Sequence, residues 1–271
     1  MSHVMNDPHQ DVNPYESPQG VESRPQEPAS TQSLAEILRT GISLYANNLL
    51  PVVLVTLNVW GPLELLQSYL GYYKLSEDDS LRLQMFLDAF VGIIAYAAVI
   101  SIGIQSLRGE PVSWARAMQR GIAAWPRVFW TRLLSGFAIL FGLLLFVVPG
   151  VFLAVRFSLT DCIAVNEGLS GPTCLRRSMA LTQGHFWRFL ALGLITVPPL
   201  MVLGYLVQLP LVYFPEIDNW ITSALAGLVV DLVSPLLLLV YAAAYWAAAR
   251  ENSLEIPAWE RRRSVTKVVI Q

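Results

Sequence analysis

The chain has 271 residues, of which 54% are hydrophobic and 14% charged, and its formal net charge is −2. A soluble helical bundle would show polar faces along its helices, so this composition sets that architecture aside, and most soluble-enzyme classes with it. The few charges are unevenly placed, and their placement carries the reading.

The opening stretch holds Asp7, Asp11, Glu16, Glu22 and Glu27 against Arg24, with prolines at 8, 14, 18, 25 and 28. It has almost no large apolar residues and cannot offset its ordering entropy, which predicts a disordered acidic tail over 1–32. It also lacks the basic and apolar regions of a signal peptide, so the first span is expected to act as an uncleaved insertion signal.

From residue 33 the pattern changes. Six apolar stretches follow: Leu49–Gly71, Phe86–Leu107, Phe129–Val148, Gly150–Asn166, Phe189–Phe214 and Trp220–Ala249. Each is near the length a helix needs to cross ~30 Å of hydrocarbon at about 1.5 Å per residue. They predict an all-α polytopic membrane bundle of six transmembrane helices over 33–250, followed by a basic tail over 251–271.

The gaps set the orientation. Arg108, Arg116, Arg120 and Arg127 fall between spans 2 and 3, with Arg132 just beyond, and Arg176, Arg177 and Arg188 fall between spans 4 and 5. Arg250, Arg261, Arg262, Arg263 and Lys267 follow span 6, and Arg24 and Arg39 precede span 1. The opposite side has only Lys74 and Arg82. By the positive-inside rule both termini are expected in the cytoplasm, and the protein in the inner membrane.

Three gap segments share one register. Leu34, Leu38, Ile42 and Tyr45 recur as Trp114, Met118, Ile122 and Trp125, and again as Leu175, Met179, Gln183 and Phe186. The spacing is one helical face, and Ser33, Ser113 and Thr173 stand where helix caps would. Ser33 with Glu36 forms a capping-box pattern. These predict three interfacial amphipathic helices, apolar face in lipid, with Arg116, Arg120, Arg127, Arg176, Arg177 and Arg188 near anionic head groups. Each precedes two spans, so the chain reads as three units of interfacial helix plus transmembrane hairpin. Gln183 interrupts the third copy.

The run Val148-Pro149-Gly150-Val151-Phe152-Leu153-Ala154-Val155-Arg156-Phe157 is followed by Glu167-Gly168, Gly171-Pro172 and Leu175-Arg176-Arg177-Ser178. Leu181-Thr182 and Gly184-His185-Phe186-Trp187-Arg188 complete it. It resembles the membrane-domain superfamily that includes the membrane portion of bacterial glycerophosphoryl diester phosphodiesterases and several uncharacterised six-span families. The resemblance implies an all-helical membrane unit without chemistry of its own. The diesterase activity of that superfamily resides in a separate soluble barrel, for which a chain ending at Gln271 is expected to have no room. The tail run Asn13-Pro14-Tyr15-Glu16-Ser17-Pro18 also resembles a short motif near the start of many bacterial membrane proteins; a solvated turn explains it equally.

Charges inside hydrocarbon are costly and are the default places to look for function. Counting along the helices puts Arg156 roughly 9 Å, Asp161 roughly 16 Å and Asp231 roughly 17 Å from the outer boundary. Glu64 falls about 8 Å from that boundary, level with Arg156, so these two are expected to pair. One reading of Glu64, Arg156, Asp161 and Asp231 is a polar path between spans 1, 4 and 6. The other, which the residues favour, is a structural pair plus snorkelling or protonated acids. Asp88 and Glu167 lie near span ends. Prolines 51, 62, 198, 199, 210 and 235 are expected to break or kink their helices.

Enzyme signatures are thin: there is no Gly-x-Ser-x-Gly, no His-Glu-x-x-His and no glycine-rich phosphate loop. Cys162 and Cys174 are not expected to form a disulfide, and His3, His9 and His185 complete no metal spacing. No cofactor is expected. The expected partners are membrane lipids, anionic head groups and other membrane proteins, not nucleic acid. The role expected is non-catalytic, either lipid-organising or accessory; the alternative is a transporter of a small solute, ion or lipid.

Overall fold

The computed structural model describes residues 32–255, apart from Pro215 and Ile217. The acidic tail expected over 1–31 and the basic residues beyond 255 lie outside the described residues. Within them the chain is helical, with no strand. The helices are α1 (Leu34–Asn47), α2 (Leu49–Tyr73), α3 (Glu77–Leu87), α4 (Ile93–Leu107), α5 (Trp114–Leu145), α6 (Val147–Arg156), α7 (Thr160–Asn166), α8 (Gly171–Leu181), α9 (Phe186–Tyr213), α10 (Trp220–Val233) and α11 (Pro235–Glu255). Six helical segments are long and apolar enough to cross a membrane, and the protein is a multi-pass membrane protein.

Local sequence explains the starts. The Ser33 backbone N–H donates to Glu36 Oε2 at 2.9 Å, and the Glu36 N–H donates back to Ser33 Oγ at 3.3 Å, closing the expected capping box. Ser113 flanks α5 without a side-chain cap. Thr173 caps nothing: α8 begins two residues earlier, after Ser170, with Pro172 in its first turn. Proline there loses no hydrogen bond, and its fixed φ suits a helix start.

The chain divides into three units. α2, α5 and α9 open each hairpin. The closing spans are all interrupted. A π-helical turn at Asp88–Gly92 separates α3 from α4, Phe157–Leu159 separates α6 from α7, and Ser234 separates α10 from α11. Of the prolines expected to break or kink helices, Pro51 and Pro235 stand in the first turn after a break, at Asn48 and Ser234; Pro62, Pro198, Pro199 and Pro210 lie inside continuous helices. Neighbouring helices tolerate such prolines in membranes.

The segments α4, α7 and α11 meet at the centre. Their facing residues are small or β-branched: Ala95, Ala97, Ala98, Ile163, Ala164, Ala242, Ala243, Ala244, Ala247 and Ala248 are all buried. A Cβ on Gly103 would come within 2.7 Å of Leu239, so this glycine sets how closely α4 approaches α11. Lipid tails are as apolar as leucine, so helix association in a bilayer depends on close packing of this kind rather than on hydrophobic burial.

The predicted interfacial helices need two corrections. The second is not separate, because it runs unbroken into the span as the 32-residue helix α5. Also, each packs against the closing span of another unit rather than resting only on lipid. α1 runs antiparallel to α11, with Gln32 at Glu251, Gly41 at Val240 and Tyr45 donating to the Leu232 carbonyl. The first half of α5 lies on α4, with Gly121 at Ile94 and Trp125 donating to the Phe90 carbonyl. α8 lies on the α6–α7 break, with Cys174 at Thr160 and Ser178 at Arg156.

The repeated register extends to a second set of positions. Ile37, Ala117 and Ser178 occupy equivalent positions and are buried, as are Gly41, Gly121 and Thr182 one turn later. Of the large residues in the shared register, Ile42, Trp114, Ile122 and Met179 are exposed, while Leu34, Leu38, Tyr45, Met118, Trp125 and Phe186 are partly buried against the core and Leu175 is buried. In lipid, small side chains allow close backbone contact and large apolar ones can face the tails at no cost. Gly41 and Gly121 are the points of closest contact, since a Cβ would lie 2.4 Å from Val240 and 2.6 Å from the Ile94 carbonyl oxygen, respectively.

Candidate functional site: the intramembrane charges

The structure brings two of the four predicted charges, Glu64 and Asp231, together and leaves Arg156 and Asp161 with other partners. Glu64 and Arg156 do not pair. The Arg156 guanidinium donates to the Met179 carbonyl at 3.3 Å and lies 5.1 Å from the centre of the Phe152 ring. The expected pairing counted α6–α7 as one straight helix. The break at Phe157–Leu159 instead brings α8 against Arg156, whose carbonyl accepts from Ser178 Oγ at 2.7 Å. Arg156 and α8 thus satisfy each other's backbone where the helix is open, as a break at membrane depth requires.

Asp161 pairs with Arg132. Nε and Nη2 of Arg132 donate to Oδ2 of Asp161 at 3.0 and 2.6 Å. The same guanidinium lies 4.6 Å from the centre of the Tyr96 ring, a cation–π contact that brings in α4. The sequence reading counted Arg132 with the loop arginines. The signal that locates it is hairpin symmetry, because Arg132 and Asp161 are almost equidistant from the turn at Phe146.

Glu64 faces Asp231 instead. Their side chains stand within hydrogen-bonding reach, and the carboxyl of Asp88 lies near enough to act on both. Gly227, one turn before Asp231, makes the room: a Cβ there would lie 2.3 Å from Glu64 Oε2. One buried Asp231 oxygen, Oδ2, has no hydrogen-bond donor. Glu64 also forms part of the wall of an open polar crevice of about 650 Å³, with Gln67, Ser68, Gln84, Gln208 and Ser223. Among the described residues, no group of three or more His, Cys, Asp or Glu side chains is arranged to hold a metal ion.

At the other end the arginines divide by partner. Arg188 forks onto Glu251 at 3.0 and 2.9 Å, with both side chains largely buried, so it braces α9 to α11 rather than reaching head groups. Gln32 donates to the same carboxylate at 3.3 Å. Arg177 pairs with Glu167 at 3.2 Å, and Glu167 accepts from Tyr245 at 2.9 Å. Tyr245 in turn accepts from Asn166 at 2.7 Å. Arg108 and Arg120 share Glu110, at 3.6 and 3.8 Å. Arg116 and Arg176 donate to carbonyls of their own chain neighbourhood, at Pro111 and Pro172, and stay exposed. Arg127 lies against Gly168, whose φ of +70° suits glycine.

Cys162 and Cys174 are both free and buried. Cys174 Sγ donates to the Thr160 carbonyl at 3.2 Å. Burial pushes the Cys174 thiol up to about 12, and the nearby Asp161 charge adds to the shift.

One known protein shares part of this sequence. A UPF0259 membrane protein of Sodalis glossinidius (strain morsitans) is 36% identical over 72 residues, which is 27% of this chain. The matched stretch spans 29% of that protein's length. This supports kinship with an uncharacterised membrane family. No protein-family profile matches the chain, and no solved structure does.

Proposed function

We propose that the chain is a non-catalytic protein of the inner membrane that organises anionic lipid or supports other membrane proteins. The observation that carries this reading is that both intramembrane arginines, Arg132 and Arg156, are already engaged by other groups. A transport site needs its charges to converge on one water-accessible cavity. Here Arg132 is held by Asp161, and Arg156 by a backbone carbonyl and a ring. The resemblance to membrane domains that accompany phosphodiesterases is compatible with an accessory role, and no hydrolytic step follows from it.

The orientation proposed has both termini in the cytoplasm. The contact between Gln32 and Glu251 supports it, because it brings the two ends of the described region to one side. A periplasm-dependent reporter fused at Gln271 should give no signal; strong activity would reverse the topology. For the function itself, the full chain would be extracted with its surrounding lipid and the lipid analysed. Enrichment of anionic phospholipid over the bulk membrane is expected, reduced by Arg116→Gln with Arg176→Gln. A lipid composition matching the bulk would overturn the reading.

A transporter is the second reading, and one observation favours it: Glu64 stands in the wall of the polar crevice beside Asp231. Uptake of a cation or protons into vesicles, abolished by Glu64→Gln, would establish it over the first.

A further inference from the structure

Three helix junctions carry arginine–carboxylate contacts, and one of them is incomplete. Where α8 meets α7, Arg177 has Glu167 at 3.2 Å. Where α9 meets α11, Arg188 has both oxygens of Glu251. Where α5 meets α4, two guanidiniums, Arg108 and Arg120, straddle the single carboxylate of Glu110 at 3.6 and 3.8 Å. Charge-assisted hydrogen bonds close to about 2.7–2.9 Å, so Glu110 holds neither arginine tightly. Among the described residues no other carboxylate pairs with Arg120. The junction carries one positive charge more than its carboxylate balances.

This junction is also hollow. A crevice of about 270 Å³ lies between α4, α5 and α7, lined by Ser101, Ile104, Arg108, Arg120, Val165 and Asn166. Its lining is mainly polar, and the guanidiniums are each about half exposed to it and to the surroundings. Arg108 is fixed in place by donating to Asn166 Oδ1. Two guanidinium forks and the Ser101 hydroxyl offer donors without a matching set of acceptors.

We propose that this crevice binds a phosphate group, carried by the head group of an anionic phospholipid. Guanidinium forks match phosphate oxygens geometrically as well as in charge. The volume admits a phosphate with its ester substituents. Glu110 acts as a loosely held internal competitor that the phosphate displaces from Arg120. The inference deepens the anionic-lipid reading above by assigning that preference to one site.

The test uses the full-length protein in detergent, titrated with phosphatidylglycerol, phosphatidylcholine and inorganic phosphate, with bound ligand counted by native mass spectrometry. Phosphatidylglycerol is expected to bind about tenfold more tightly than phosphatidylcholine, since net charge decides between them. Arg120→Gln should weaken it by about tenfold, and Glu110→Gln should strengthen it several-fold. Arg82→Gln, in α3 beyond the far end of α2, should change nothing. Binding of inorganic phosphate with the same dependence on Arg120 and Glu110 supports the site and identifies the phosphate, not the lipid body, as what is recognised. Glu110→Gln without any gain overturns the site, whether or not Arg120→Gln folds. An anionic preference that survives and ignores both substitutions overturns this site alone. Absence of any anionic preference overturns the broader reading as well.

Discussion

Arg132 and Asp161 face each other across the α5–α7 hairpin, and their ion pair at 2.6 Å ties together two units' worth of helix through the Tyr96 ring beneath the guanidinium. The pair is partly exposed, at 31% and 23% of the side chains, so it lies between the solvent-exposed and fully buried limits. Removing one partner leaves the other charged in a poor solvent. Arg132→Gln or Asp161→Asn should each cost roughly 1–3 kcal/mol in detergent thermal unfolding, and the double substitution should recover part of it. Strictly additive losses would show that the two do not interact.

Glu64 and Asp231 make the opposite case. Two acceptors face each other, and Asp231 Oδ2 has no donor. Asp231→Asn supplies an amide donor to Glu64 at nearly the same shape. Stability should stay level or rise by about 1 kcal/mol, the worth of one satisfied hydrogen bond. A marked fall in melting temperature on Asp231→Asn would mean that the charge itself is needed there.

The repeat register is tested at its glycines. Gly41→Val and Gly121→Val insert side chains where a Cβ already meets Val240 or the Ile94 carbonyl at under 3 Å. Overpacking of this kind costs about 1–3 kcal/mol or more. Gly136→Ala, where a Cβ meets nothing within 4 Å, should be neutral or stabilising through helix propensity. Equal melting temperatures for all three would deny the close approach of α1 to α11 and of α5 to α4.

Cys174 should be inert. Its thiol, pushed to about 12, leaves only about one molecule in ten thousand ionised at pH 8, and burial blocks access. Maleimide labelling of the folded protein at pH 8 should be absent for Cys174 and become complete in denaturing detergent. Its rate should climb with pH only toward the raised value, since the thiolate is the reactive form. Fast labelling of the folded protein at pH 8 would show that α8 detaches from the α6–α7 break.

The spans, their number and the three-unit repeat were legible in the sequence. Length and apolarity are local properties of a segment, and in hydrocarbon every backbone polar group must be satisfied within a helix. The capping box at Ser33 was equally local. What the sequence concealed was partnership. Counting residues put Arg156 level with Glu64, but the count assumed straight helices, and the break at Phe157–Leu159 moved Arg156 to α8. Arg132 was hidden by being counted with the loop, although its distance from the Phe146 turn matched that of Asp161. The amphipathic helices were legible with their large apolar residues expected toward lipid, but nothing in the pattern told that the adjacent, small-residue positions would pack on a neighbouring helix. In a bilayer the large apolar residues gain nothing by burial, and the glycines and alanines one position away mark the face that packs. Periodicity fixes that a helix is two-sided; only the neighbouring helix decides which side it uses.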